Sequence, residues 1–526
     1  MSSPSSEQPQ SRKRPGAACA ECRRRKMRCD GKQPQCENCV NAGVECIFNP
    51  PNSRRGPKKG HLKSLQTRLA NLENRLLEQG REYSTITTST GNTYIQQFSH
   101  GPDGAQLNMP LHIPGAPAGP GTIPVSDLLH AELDQLYFDR VHDFVPIIHT
   151  RRYLSWTKDA DKDPSRRSLQ YAMWTIAASM STQLDHLCIS LYRSARQLLE
   201  VSSLANNHAT VYETEYVQAW LVLSVYEFTR HTFSRGWTSA GQCFRLVQLM
   251  NWHRIDIIEA DPGLSVDGGT DKRICTEEKR RVFWMAYVLD RFVCTRLETP
   301  LTFDERIIAT RLPATEEAFL TGQLTQPMGF LPEVIAAGDS VPQTWLTECI
   351  VLATLCGHSL LHKHQTTAEQ MLCGVSNGFW QRHQWLEAIL AKWARIISAT
   401  QPVIATRPID PMLLLLNLVA HSNLLYHCTV VDSVSLAMGN EVVLGYRQRA
   451  WMAAQEIVRL TRMVSQLSFF EIHPFTPLPV MRCAKFFMVH QDLDASCPLQ
   501  LQEVLDTLHH LAGTNYLCQD WAVPVC

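Results

Sequence analysis

From about Val125 onward, apolar positions recur at helical spacing. Trp385, Leu386, Ile389, Leu390, Trp393, Ile396 and Ile397 make one broad apolar stripe. Ser126-Asp127 before Leu128-Leu129 reads as a helix start, because a short polar side chain can cap the first unpaired N–H groups. Alternating runs of strand type are scarce, so residues 126–526 are expected to form an all-helical domain of more than a dozen helices paired antiparallel. The most apolar run, Met412 to Ala420, is interrupted by Asn417, followed by His421, and shorter than the ~20 residues a bilayer needs, so no membrane partner is expected.

Upstream the pattern changes twice. Residues 80–125 are rich in Thr, Gly and Pro with few large apolar side chains, which predicts a disordered linker. Before it, Leu62, Leu65, Leu69, Leu72 and Leu76 are spaced 3, 4, 3, 4, so leucine fills every a and d position of barely two heptads. This predicts a short coiled-coil helix over 62–79 that makes a homodimer, with Arg68 and Glu73 placed to pair across it; an ordinary amphipathic helix is the other reading.

Charge changes the picture at the N-terminus. The chain is formally neutral, yet residues 1–60 carry 13 Lys and Arg against 5 Asp and Glu, a net +8, and the remainder is −8. A basic head on an acidic body implies a polyanion bound at one end. Residues 1–18 predict a disordered basic tail, and 47–61, with Arg54, Arg55, Lys58 and Lys59, a basic extended linker able to follow a nucleic-acid backbone. The basic clusters also fit nuclear import, and the polar N-terminus lacks the apolar stretch of a secretory leader.

Six of the 18 cysteines fall between residues 19 and 46, and the other twelve lie singly from Cys188 to Cys526, as reduced core residues do. Cys19, Cys22, Cys29, Cys36, Cys39 and Cys46 read C-x2-C-x6-C twice, a direct repeat. So short a stretch cannot build a hydrophobic core, and paired C-x2-C elements are the mark of thiolate zinc, which supplies folding energy directly. One four-thiolate site would leave two cysteines idle. Two zinc ions per chain need eight ligand positions, which six sulfurs fill if two bridge, and the repeat makes Cys19 and Cys36 the symmetric choice. The second cysteine of each half begins a six-residue spacer, enough for about one and a half helical turns. Only the first spacer, Arg23-Arg24-Arg25-Lys26-Met27-Arg28, is cationic, so only that half can be driven at phosphates and at guanine edges in a major groove. A zinc-stapled protein-interaction knuckle is the alternative.

The six cysteines, the basic first half and Pro34 resemble the zinc binuclear cluster of fungal transcription factors. The resemblance implies that Lys26, with Arg25 beside it, reads the base edges of a CGG triplet, that the same two sulfurs bridge, and that a dimer binds paired triplets. Three looser stretches, Tyr137 to His149, Gly236 to Arg254 and Glu277 to Arg291, resemble the regulatory region that accompanies that cluster, over roughly 128–330.

No glycine-rich phosphate loop, G-x-S-x-G elbow or kinase-like set is present, so no enzymatic activity is expected. Cys356, His358, His362 and His364 lack the glutamate of an H-E-x-x-H pattern and read as ordinary helix residues. Arg280, Arg281, Asp290 and Arg291 read as an internal ion-pair network. Tyr137, Phe144, Trp174, Trp220, Trp237 and Trp284 read as core, with an effector pocket as the alternative.

The sequence therefore predicts a mostly α, nuclear, sequence-specific transcription factor for RNA polymerase II genes, a pathway-specific activator that binds double-stranded DNA. Arg23, Arg24, Arg28, Arg54, Arg55, Lys58 and Lys59 are expected to hold phosphates, and a small-molecule effector or co-regulator is a further candidate partner. The alternatives are a repressor, or a metabolite-sensing or catalytic helical domain targeted to DNA by the cluster.

Overall fold

The computed structural model describes residues 18–32, 34–46, 127–159, 161–205, 213–259, 269–324, 327–338, 344–372, 377–400, 409–437 and 440–522. The chain divides between Ile113 and Pro114 into two compact units. The predicted tail up to residue 17, the basic linker, the leucine helix 62–79 and the stretch 80–125 lie outside the described residues.

The first unit carries two five-residue helices, α1 (Ala20–Arg24) and α2 (Glu37–Asn41). Its core is sulfur: Cys19, Cys22, Cys36 and Cys39 are buried against one another, with Cys29, Val44 and Cys46 packed around them.

The second unit contains, among the described residues, sixteen α-helices, short 3-10 turns and no strand. Its first half comprises α3 (Asp127–Arg140), α4 (Thr150–Trp156), α5 (Pro164–Ser179), α6 (Cys188–Ala205), α7 (Thr214–Arg230), α8 (Phe233–Leu249), α9 (Ile255–Glu259) and α10 (Thr270–Leu297). The second half comprises α11 (Glu316–Thr321), α12 (Leu331–Ala337), α13 (Trp345–Leu372), α14 (Asn377–Thr400), α15 (Pro411–Thr429), α16 (Asn440–Val464), α17 (Pro477–Val489) and α18 (Cys497–Ala512).

Local chemistry sets several starts. Asp163 accepts the Arg166 N–H ahead of Pro164, and Asp410 accepts the Met412 and Leu413 N–H groups ahead of Pro411, each a capped N-terminus with proline in the first turn. Only His231 and Thr232 separate α7 from α8, and the two helices pack along each other, which makes them antiparallel. A Cβ at Gly236 would stand 2.7 Å from the Phe228 ring, so glycine there permits that close approach.

Two large hydrophobic clusters fill the body, with a small third one around Leu133, Trp174 and Leu191. The larger runs from Tyr137 to Leu517 and has Val282, Phe283 and Trp284 of α10 at its centre; the smaller is built on α14 to α18. Helix α15 belongs to both, giving Leu415, Leu416 and Val419 to the first and Leu414, Leu418 and Leu425 to the second. A helix shared between two clusters is apolar all round. By length and composition residues Pro411–Asp432 would suffice to cross a bilayer, contrary to the reading of Met412 to Ala420 as too short, but 83% of its apolar window is buried inside the body.

The apolar stripe of α14 is largely inside, with Leu386, Leu390, Trp393 and Ile397 buried, whereas Trp385 at its edge is 58% exposed. Of the six aromatic residues expected in the core, Trp237 alone is exposed. Arg281 is 1% exposed and fully engaged, donating to Glu277, Glu316 and the carbonyls of Pro146 and Ala314. Arg291 donates to Asp290 and to the Phe303 carbonyl, and Arg280 to Glu277 and Asp256. These pairs tie α10 to the segments around it, as buried charges require partners.

Candidate metal centre and nucleic-acid interface

The two halves of the cysteine repeat fold alike. Each short helix carries the second cysteine of its half and closes with the same reversal: Met27 N–H donates to the Cys22 carbonyl at 2.9 Å, and Val44 N–H to the Cys39 carbonyl at 3.1 Å. The residue before each closure takes a left-handed backbone, Lys26 with φ 54° and Gly43 with φ 62°. This is the helix-ending motif in which glycine is favoured. The spacer is therefore not the helix of one and a half turns that its length allows. Helix α1 starts before Cys22 and ends at Arg24, because the chain must turn back to deliver Cys29.

The sulfurs converge. Cys19 and Cys36 lie 3.7 Å apart, Cys19 and Cys39 3.7 Å, and Cys22 and Cys36 3.6 Å. Tetrahedral thiolate zinc, with Zn–S of about 2.3 Å, has S···S edges of about 3.8 Å, so the buried sulfurs fit the metal. Cys46 accepts the Cys36 N–H at 3.3 Å and interacts with Cys19, Cys36 and Cys39, whereas Cys29 lies with Cys22 and Cys36. All six are free thiols. The Cys22 N–H pulls the Cys19 thiol down to about 6, and burial pushes Cys22 up to about 12. A thiol cluster that cannot ionise together without a cation has the charge distribution a metal ion resolves.

The second half braces the first. Asn38 Nδ2 donates to the Arg28 carbonyl at 2.7 Å, the Glu37 N–H to Asp30 at 3.2 Å, and Lys32 pairs with Glu37 at 2.9 Å.

Arg24, Arg25, Lys26 and Arg28 are exposed but not equivalent. Glu21 holds Arg24 through two bonds, 2.9 and 2.7 Å, and Arg25 through one of 2.7 Å. Lys26 and Arg28 are exposed. Sequence reasoning passed over Glu21, although its spacing of three and four residues from the arginines is a readable helix-pair signal. Lys26, Arg25, Arg24 and Arg28 thus stand on one stretch of backbone; Arg23 lies in α1, and Arg54, Arg55, Lys58, Lys59 and the five leucines lie outside the described residues.

In the body, His362 packs against two histidines that the sequence did not connect to it. His362 Nε2 lies 3.1 Å from His383 Nδ1, the His383 and His427 rings are 3.9 Å apart, and His427 donates to the His383 carbonyl. Burial pushes them down to about 4, 2 and 3, so all three are neutral core groups. His358 pairs with Glu305. Among the described residues, the groups that bring metal-ligating atoms together are in the cysteine module.

Comparison with known proteins matches residues 17–56 to the fungal Zn(2)-Cys(6) binuclear cluster domain and residues 135–324 to the fungal specific transcription factor domain. The chain is 41% identical to a pigment biosynthesis transcriptional activator of Monascus ruber, over 99% of this chain and 95% of that protein. It is 38% identical to a citrinin biosynthesis transcriptional activator of Monascus purpureus, over 96% and 91%. An azaphilone cluster-specific transcription factor of Aspergillus niger is 38% identical over 88% and 96%.

Proposed function

The chain belongs to the fungal zinc binuclear cluster transcription factors, and from that membership we propose that it is a nuclear, pathway-specific activator that reads paired CGG-type triplets as a homodimer. It is a zinc-binding, DNA-binding transcription factor and not an enzyme. Its relatives' names, activators of pigment and citrinin biosynthesis, support the activating sign and a biosynthetic gene cluster as the target of its RNA polymerase II regulation.

Two zinc ions are proposed, one held by Cys19, Cys22, Cys29 and Cys36 and the other by Cys36, Cys39, Cys46 and Cys19. Bound zinc supplies the fold of the module; Cys19 and Cys36, whose 3.7 Å edge both sets share, do the bridging. Lys26 supplies base choice with Arg25, while Arg23, Arg24, Arg28, Arg54, Arg55, Lys58 and Lys59 supply phosphate affinity. Leu62, Leu65, Leu69, Leu72 and Leu76 pair two chains, and dimer geometry sets the triplet spacing.

The observation that carries this reading is the contrast between Lys26 and Gly43. At equivalent positions of the repeat the backbone takes the same left-handed turn, but only the basic half puts a long cation there. Selection from random DNA with the zinc-loaded chain should enrich two CGG triplets at one fixed spacing; enrichment of a lone triplet would refute the dimer. Metal analysis should return two zincs per chain, and a value near one would refute bridging.

A further inference from the structure

The helical body holds a cavity of about 520 Å3, within the ~300–1,000 Å3 of small-molecule sites. It lies between the end of α3, the starts of α13 and α15, and residues 468–473. Phe144, Trp345 and Phe470 give it an aromatic wall, and four exposed carboxylates, Asp139, Asp143, Asp410 and Glu471, stand at its rim. Among the described residues the one cation that lines it is Arg140, which donates to the Met180 carbonyl at 2.5 Å and lies 4.6 Å over the Phe470 ring. Among the described residues none of the four carboxylates makes an ion pair; Asp410 caps α15 and Glu471 accepts the Ser468 N–H. Desolvation pushes the Asp143 carboxyl up; the neighbouring His142 opposes this, while Glu316, Asp410 and Asp139 push it further up. Among the described residues the rim thus carries four carboxylates against one guanidinium, that of Arg140.

The cavity also reaches a buried donor. His473 is 6% exposed, and its Nδ1 accepts the Phe475 N–H at 3.1 Å, which puts the proton of the neutral ring on Nε2. That N–H makes no hydrogen bond to a described residue and keeps accessible surface, as expected of a group on the cavity that His473 lines.

We propose that this cavity binds an organic cation: an amine on an apolar body that carries a hydroxyl or carbonyl oxygen. The ammonium meets the rim carboxylates, the body lies against Phe144, Trp345 and Phe470, where aromatic faces favour a cation, and the oxygen accepts the His473 Nε2–H. Anionic ligands are repelled, and neutral ones leave the carboxylates uncompensated. This goes beyond DNA reading and names the chemical class of an effector that the body would sense.

The test is calorimetric titration of the full zinc-loaded chain near neutral pH with tyramine, tyrosol and 3-(4-hydroxyphenyl)propionate, which share one ring hydroxyl and differ in the charge at the other end. The amine should bind about tenfold more tightly than the alcohol, and the carboxylate not at all. The double variant Asp139→Asn/Asp143→Asn should lose most of that preference. Equal binding of amine and alcohol, binding of the carboxylate, an unchanged amine affinity in the variant, or no amine binding at millimolar concentration would each overturn the proposal. The first comparison uses the unaltered chain, so it decides even if the variant misfolds. Because the readout is binding to the body, its failure leaves the DNA-reading proposal standing, and the reverse also holds.

Discussion

Replacing Lys26 by glycine separates what the fold wants at that position from what DNA reading wants. Lys26 sits at φ 54° where α1 ends, held by the Met27 to Cys22 closure of 2.9 Å. A left-handed backbone costs a residue with a Cβ about 1–2 kcal/mol, and glycine gives back roughly 0.5–1 kcal/mol of that through the extra freedom of its unfolded chain. Lys26→Gly should therefore leave the zinc-bound module as stable or up to about 1.5 kcal/mol more stable, a gain of about twelvefold at most in the chelator concentration needed to strip it. The same change removes the proposed base contact and should cost ~1–3 kcal/mol of discrimination, about 5- to 150-fold between a CGG site and a scrambled one. Metal retention against a chelator reads the first quantity, and fluorescence anisotropy with both DNAs at several salt concentrations the second. The reciprocal change, Gly43→Lys, should weaken zinc retention by about 1 kcal/mol and leave triplet choice intact. If Lys26→Gly lost zinc more readily than the unaltered chain, or still told the two DNAs apart, the argument that function holds a strained lysine there would fail.

Three further outcomes are expected. Glu21→Gln frees Arg24 and Arg25, so affinity for random DNA should rise several-fold and the ratio of specific to random binding should fall; weaker random binding would refute the clamp. The bonds from Arg24 hold the Glu21 carboxyl down at about 2, so its contribution is fully present above the usual glutamate range of about 4.5 and is lost as pH falls from there through about 2. Titration of zinc retention between pH 5 and 8 should therefore show no step from this residue. Arg54→Ala should weaken all DNA alike and reduce the salt slope by about one, and a sequence-dependent loss in anisotropy would instead place that arginine at a base. Leu69→Glu, at an a position of the leucine pattern, should shift sedimentation from dimer to monomer and abolish the preference for paired triplets over one, whereas an unchanged dimer would locate the interface elsewhere.

Much of this was readable in the sequence, and what escaped has physical reasons. Cysteine spacing marks a metal module because ligands must be local in a stretch too short for a core, and helical stripes mark the body because burial follows the 3.6-residue period. Periodicity does not report φ, so the left-handed turn at Lys26 escaped, although aligning the two halves of the repeat sets it opposite Gly43 and hints at it. Trp385 illustrates a second limit: a stripe gives a face but not its edge, and the residue at the edge stays in water. Long-range partners form a third class. Arg281 was suspected of internal pairing, yet its bonds to Glu316 and Pro146, and the packing of His383 and His427 against His362, depend on segments far apart in the chain.

The sharing of α15 between the two large hydrophobic clusters bears on where the body can be divided. The match to the regulatory family ends at residue 324, but the larger cluster goes on to recruit Leu346, Ile350, Trp393, Leu415 and Leu517. A fragment cut at that boundary would carry Phe283 and Trp284 without the helices that cover them. The portion shared with the wider family is thus a homologous segment rather than an autonomous folding unit, and a frameshift or early stop anywhere before α15 should disable the body as thoroughly as one near its beginning.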